Sequence, residues 1–235
     1  PDTPPKKINS SFTSIIGLDA LGMFKNRSFN IFFISSIIIC IPLAFYYSFS
    51  NPFLNDIGAE NAAGKMTLGQ ASEFIFLLLL PFAFRKFGIK KVMLAGMLAW
   101  VVRYLFFAFG DIGSGIWMLY LGIILHGICY DFFFVSGQIY IDKKAKKSFR
   151  SSAQGLITFA TYGIGMLIGS FVSGFVTEKF AITINGSIRY FWQSIWLVPG
   201  AIALLVSCMF MVFFREKSLT KEMDKKVSLQ GEDGD

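Results

Sequence analysis

Residues 29–49 read FNIFFISSIIICIPLAFYYSF, a stretch of twenty-one residues without one charged side chain. At ~1.5 Å per residue, a helix of that length crosses the ~30 Å hydrocarbon core of a bilayer. Five further runs of the same kind follow: Met66 to Phe84, Val92 to Phe109, Ile116 to Ile141, Ser152 to Val176, and Tyr190 to Phe214. Pro42, Pro81 and Pro199 lie inside these runs or near their ends, where neighbouring helices re-satisfy the backbone groups that a proline frees. The pattern predicts an all-α membrane protein, a six-transmembrane-helix bundle.

Composition points the same way. The chain has 235 residues, 54% of them hydrophobic and only 16% charged, with 28 Phe and a mean hydropathy of +0.58. That leaves too few polar side chains to cover a water-facing surface. The net charge of +7 would suggest nucleic-acid binding in a soluble protein. Here the basic residues sit in short runs between the spans, and no basic face with interleaved aromatics exists outside them, which argues against a nucleic-acid partner. Cys40, Cys129 and Cys208 all fall within apolar runs and lack metal or disulfide spacing, so no metal and no cofactor are expected.

The distribution of Lys and Arg sets the expected orientation. Both chain ends and the loops at 85–91 and 143–150 carry eighteen of them, the opposite loops carry three, and Arg103 remains within a span. The positive-inside rule then places both termini in the cytoplasm. Residues 1–28 are read as a cytoplasmic linker with an interfacial helix over Ser10 to Phe24, its apolar side chains Phe12, Ile15, Ile16, Leu21 and Phe24 at near-helical spacing. Residues 29–214 form the six-helix transmembrane domain, and the charged, Gly-ended segment 215–235 is expected to be disordered. The opening Pro1-Asp2-Thr3-Pro4-Pro5-Lys6-Lys7 has neither an initiator Met nor a signal peptide, so a piece of a longer protein is expected.

Glu73 and Asp131 are the two acidic residues well inside spans. Insertion of such a charge costs about 2.5–3.5 kcal/mol, so it normally faces a cavity or a partner. Gln70 and Glu73 are i, i+3 neighbours and project from one helix face. An amide beside a carboxylate suits a polar solute, but it equally suits helix–helix glue, or an ion pair with Arg103 at similar depth on the third span. On the fourth span, His126 and Tyr130 are i, i+4, and Phe133 and Phe134 continue the stripe. Such a stripe can stack a planar base or simply line the core. Asp131, rotated about 100° from Tyr130, is open to two roles, proton carrier or structural salt bridge with Arg103. Tyr47 is open to belt chemistry at the interface or to an inward-facing contact. Gly165 and Gly169, with Ser170 and Gly174 a step on, predict close helix packing in the fifth span.

Several segments, in order along the chain, resemble the nucleoside:proton symporter family of the major facilitator superfamily, specifically its C-terminal half. The loop Arg85-Lys86-Phe87-Gly88-Ile89-Lys90-Lys91 resembles the superfamily's short basic loop, whose glycine makes a sharp turn, although Phe84 stands where an Asp is usual. The finer matches are Gly17-Leu18-Asp19-Ala20-Leu21, Gly69-Gln70-x-Ser72-Glu73, Ala99-Trp100-x-x-Arg103-Tyr104, Tyr130-Asp131-Phe132-Phe133, Arg150-x-Ser152-Ala153-Gln154-Gly155 and Trp192-Gln193-x-x-Trp196.

The resemblance implies one half of a twelve-helix carrier in a bacterial inner membrane, with the N-terminal six helices as its missing partner. It implies nucleoside and protons as the transported species. Gln70, Glu73, His126 and Tyr130 are then substrate contacts; Tyr47 and Phe134 join them from their own placement on the spans, and Glu73, Asp131 and Arg103 are read from the residues as a proton-coupling group or ion pair. Ala44 and Tyr47 stand where the family places Gln and Asn contacts, which leaves base and sugar preference open. The alternatives are a permease for another small polar solute such as a sugar, or a non-transporting membrane receptor or assembly protein. No nucleophile–base pair or metal cluster at usable spacing suggests an enzyme.

Overall fold

The computed structural model describes residues 18–184 and 186–215. Helix α1 spans Arg27–Asp56. One helical track, Ala62–Phe109, is broken at Gly88 into two arms, α2 (62–87) and α3 (89–109). The helices Ile116–Lys144 (α4), Lys147–Lys179 (α5) and Trp192–Phe213 (α6) complete a bundle of six. All but α6 run past the apolar stretches that announce them at one end or both. Of the interfacial helix expected over Ser10 to Phe24, residues 10–17 lie outside the described residues. Leu18–Lys25 forms a 3-10 helix whose Ala20 and Met23 are buried, with Phe24 against Phe29 and Phe33 at 5.1 and 4.8 Å. This part packs on the bundle. The tail beyond Arg215 also lies outside the described residues.

Gly88 has φ 74° and ψ 162°, a region open essentially to glycine alone. The reversal between α2 and α3 therefore depends on this residue. Gly88→Val is expected to destabilise the fold by about 1–3 kcal/mol, read as a lowered melting temperature of the detergent-purified full-length protein.

Packing follows side-chain size. α3 lies against α4 and α6, and α1 against α5 and α6. Ideal Cβ atoms built on Gly165 and Gly169 would meet Cys40 Cβ at 2.8 Å and Ala44 Cβ at 2.7 Å. These two glycines let α5 seat on α1, the small-residue packing that membrane helices use in place of a hydrophobic driving force. Gly174 meets nothing within 4 Å and Ser170 is exposed, so the expected glycine face ends at Gly169.

Aromatic stacking fills the middle of the bundle. Tyr104 stacks on Trp196 at 5.6 Å and on Trp100 at 5.8 Å, and its hydroxyl donates to the Pro42 carbonyl. Trp192 Nε1 donates to Asp56 Oδ2 at 2.6 Å, pinning the start of α6 to the end of α1.

Two features depart from six plain helices. A hairpin of β1 (Ala181–Ile184) and β2 (Ser187–Tyr190) joins α5 to α6, with Gly186 at φ 79° in its turn. It takes the residues up to Tyr190, so α6 begins at Trp192 and not at Tyr190. Both α4 and α5 also contain a wide π-helical segment, at Asp131–Val135 and Phe159–Gly165.

Candidate functional site

Three helices meet where α2 and α4 touch backbone to backbone. An ideal Cβ on Gly127 would sit 2.6 Å from the Ser72 carbonyl and 2.7 Å from the Glu73 nitrogen. Only a glycine permits that approach. Ser72 seals it, donating to the Gly69 carbonyl at 2.6 Å and accepting from the Gly127 N–H at 3.0 Å. Glu73 is thereby set beside His126, with Oε1 2.7 Å from His126 Nε2. On the other side of the imidazole, Arg103 Nη1 lies 2.8 Å from Nδ1.

A buried arginine must recover the hydration it loses. Arg103 is fully buried, and its guanidinium carbon sits 3.3 Å from the centroid of the Tyr46 ring. A desolvated cation–π contact of this kind is worth about 2 kcal/mol. Tyr46 also stacks on His126 at 4.7 Å. Arg103, His126 and Glu73 therefore form a continuous chain from α3 through α4 to α2, with Tyr46 of α1 as its floor. The geometry inserts His126 between Glu73 and Arg103, in place of the direct ion pair that was one alternative for Glu73.

The sequence-predicted residues fall into two layers. Glu73 has 31% of its side chain exposed, Gln70 is exposed, Tyr130 is half-buried, and Tyr47 is 49% exposed. Tyr47 and Tyr130 have their rings 6.2 and 6.0 Å from His126. His126 itself is only 2% exposed and has both ring nitrogens engaged, so it lies beneath the open layer. Phe134 is also buried, its ring 5.3 Å from Tyr130. Ala44 is fully buried against Gly169 and faces α5.

Asp131 is not brought to Arg103. It is buried, and its Oδ2 has no hydrogen-bond partner in the protein, while Arg103 Nε and Nη2 are likewise unpartnered. The salt bridge between them, one of the two roles open to Asp131, is absent from the described residues.

Two participants escaped sequence reasoning. Tyr46 was overlooked beside Tyr47, although a buried cation on a neighbouring span needs an aromatic face. Tyr162, on α5, brings its hydroxyl against that of Tyr130. The contact joins the two π-helical segments, because Tyr130 immediately precedes one and Tyr162 lies in the other. Clefts of about 280 and 520 Å³ lie elsewhere, lined respectively by Glu60, Lys65 and Tyr120, and by Asn55, Asp56 and Trp192; neither includes Glu73 or Gln70. Glu73, Gln70 and Tyr47 present a partly exposed polar wall.

The model of the family described as "Nucleoside H+ symporter" matches residues 1–219. The chain belongs to that family. It is 41% identical to YegT of Escherichia coli K12 over 99% of this chain and 57% of that protein. It is 36% identical to the xanthosine permease of the same organism over 89% of this chain and 52% of the relative. The crystal structure of the nucleoside transporter NupG in its D323A form superposes with a TM-score of 0.81 at 34% identity, covering 92% of this chain and 56% of NupG. The chain thus spans about half the length of the relatives it matches. As a family member its six helices form one half of a major facilitator fold.

Proposed function

We propose that this chain is the C-terminal half of an alternating-access carrier that brings nucleosides, together with protons, across the bacterial cytoplasmic membrane, with both termini inside. The observation that carries the reading is the partly exposed Glu73 carboxylate, held from behind by His126 and flanked by exposed Gln70 on one helix face. A carboxylate accepts two hydrogen bonds from adjacent hydroxyls, as a ribose offers. Gln70 both donates and accepts, which suits sugar or base edges, and Tyr130 supplies a ring for the base to stack upon. Asp131, buried near Glu73 with an unpartnered oxygen, and Glu73 itself are the carboxylates available to a proton. The other wall belongs to an N-terminal six-helix half. The two halves rock about a midplane site, so this chain alone does not transport. Relatives named as nucleoside and xanthosine permeases support the substrate class.

Uptake of labelled uridine and adenosine by cells carrying the full-length protein tests the reading. Uptake is expected to fall several-fold when an uncoupler collapses the proton gradient, and to be competed by nucleosides but not by sugars. Competition by sugars would make the protein a permease for another solute. Absence of any uptake would leave a receptor or assembly role.

A further inference from the structure

We infer that Arg103 and His126 are a positioning pair, which aims the Glu73 carboxylate, and that His126 carries no transported proton; this rests on the function proposed above. The argument begins with hydrogen-bond roles. A guanidinium has donors and no acceptor. Arg103 Nη1, 2.8 Å from His126 Nδ1, must therefore donate, and Nδ1 must present its lone pair. The ring proton is then on Nε2, where it donates to Glu73 Oε1 at 2.7 Å. The imidazole is neutral, and its tautomer is set by the arginine behind it.

The surroundings hold this arrangement in place. Tyr46 of α1 stacks on the ring at 4.7 Å, with Tyr47 at 6.2 Å and Tyr130 at 6.0 Å around it. The titratable and charged groups facing His126 are thus Tyr46 and Tyr47 from α1, Glu73 from α2, Arg103 from α3 and Tyr130 from α4. Gly69 of α2 lies along one edge of the ring, where a Cβ would sit 3.5 Å from His126 Cδ2. A second proton on the ring would have to sit on Nδ1, against the Arg103 N–H. Arg103 has no retreat, being fully buried on the Tyr46 face. His126 therefore stays neutral while Arg103 is in place, and the pair acts as a fixed bracket behind the solute-facing carboxylate.

Kinetics of the full-length protein in phosphatidylethanolamine–phosphatidylglycerol vesicles separate the possibilities. The readouts are the uridine KM, uridine counterflow, and accumulation driven by an imposed proton gradient. Phe at 126 removes both hydrogen bonds, and His126→Phe is expected to raise KM about tenfold or more, the loss of one charge-assisted bond. His126→Gln supplies an acceptor and a donor on one amide; it is expected to bring KM to within about threefold of the wild type and to keep gradient-driven accumulation. Arg103→Gln frees the tautomer and is expected to behave like His126→Phe.

Loss of gradient-driven accumulation in His126→Gln with counterflow intact would make His126 a proton carrier and overturn the inference. So would a wild-type KM in His126→Phe, or a Gln variant as poor as the Phe variant. Monodispersity on gel filtration identifies variants that fold. Should Phe at 126 or Gln at 103 fail that check, His126→Gln decides alone by its KM and its coupling. A wild-type protein that moves no uridine or adenosine would instead remove the proposed function itself.

Discussion

Glu73→Gln in the full-length protein is expected to cut nucleoside uptake by about 100-fold. The side chain keeps its length and shape, and its amide oxygen can still accept from His126 Nε2. What disappears is the charge that meets the solute. Hydrogen bonds to a charged group are each worth about 1.5–3 kcal/mol, and weakening two of them costs about two orders of magnitude in binding. Gradient-driven uptake and uridine affinity should therefore fall together while the melting temperature stays within a few degrees. Uptake that is unchanged by the substitution and insensitive to uncoupler would sink both the role of Glu73 and the coupled mechanism.

Gly127→Leu is expected to damage stability and function at once. Its Cβ would lie 2.6 Å from the Ser72 carbonyl and 2.7 Å from the Glu73 nitrogen, and both are backbone atoms that cannot rotate aside. Separating α2 from α4 breaks the Ser72–Gly127 hydrogen bond and moves Glu73 off His126. Overpacking of this kind costs about 1–3 kcal/mol, and a Leu belongs at the upper end. The measurement is the aggregation midpoint of the full-length protein by gel filtration after heating, alongside uptake. Gly155→Ala is the control: nothing lies within 4 Å of a Cβ there, and a helical Gly→Ala change is expected to be neutral or stabilising by about 0.5–1 kcal/mol. Equal midpoints for the two variants would show that the contact at Gly127 is not what holds α2 to α4.

Much of the architecture was legible because bilayer thickness dictates length. Six apolar runs could be read directly, the Gly88 reversal came with the resemblance of the 85–91 loop, and the Gly165–Gly169 contact followed from side-chain size. The hairpin has a sequence signal of its own that hydropathy does not register. Asn185-Gly186 stands between Ile182-Thr183-Ile184 and Ser187-Ile188-Arg189-Tyr190, a strong hairpin signal that a search for spans passes over as loop. The π-helical segments leave no compositional mark, since one widened turn changes the register without changing the residues it uses.

That register explains why the site was only half visible. Depth along an axis can be counted, and it placed Glu73 and Arg103 at one level. Rotation about the axis cannot be counted through helices that must first be packed, so the position of His126 between them depended on Gly69 and Gly127 bringing α2 against α4. Burial separated Tyr46 from Tyr47 in the same way, because adjacent residues on a helix differ by about 100°, and only the neighbouring Arg103 decides which of them is needed inside.

The two wide turns have a mechanical consequence for the rocking proposed above. A π-helical turn forgoes the regular four-residue bonding of its neighbours, so a helix is softest there. In α4 and α5 the soft turns are linked through side chains, by the hydroxyls of Tyr130 and Tyr162. Beyond them on the Lys- and Arg-rich end, Arg150 and Asp142 add a half-exposed ion pair of 3.1 Å between the same two helices. Flexing at the two wide turns would shift Tyr130 and Tyr162 relative to the Glu73 wall, whereas straight α-helical turns would hold them fixed.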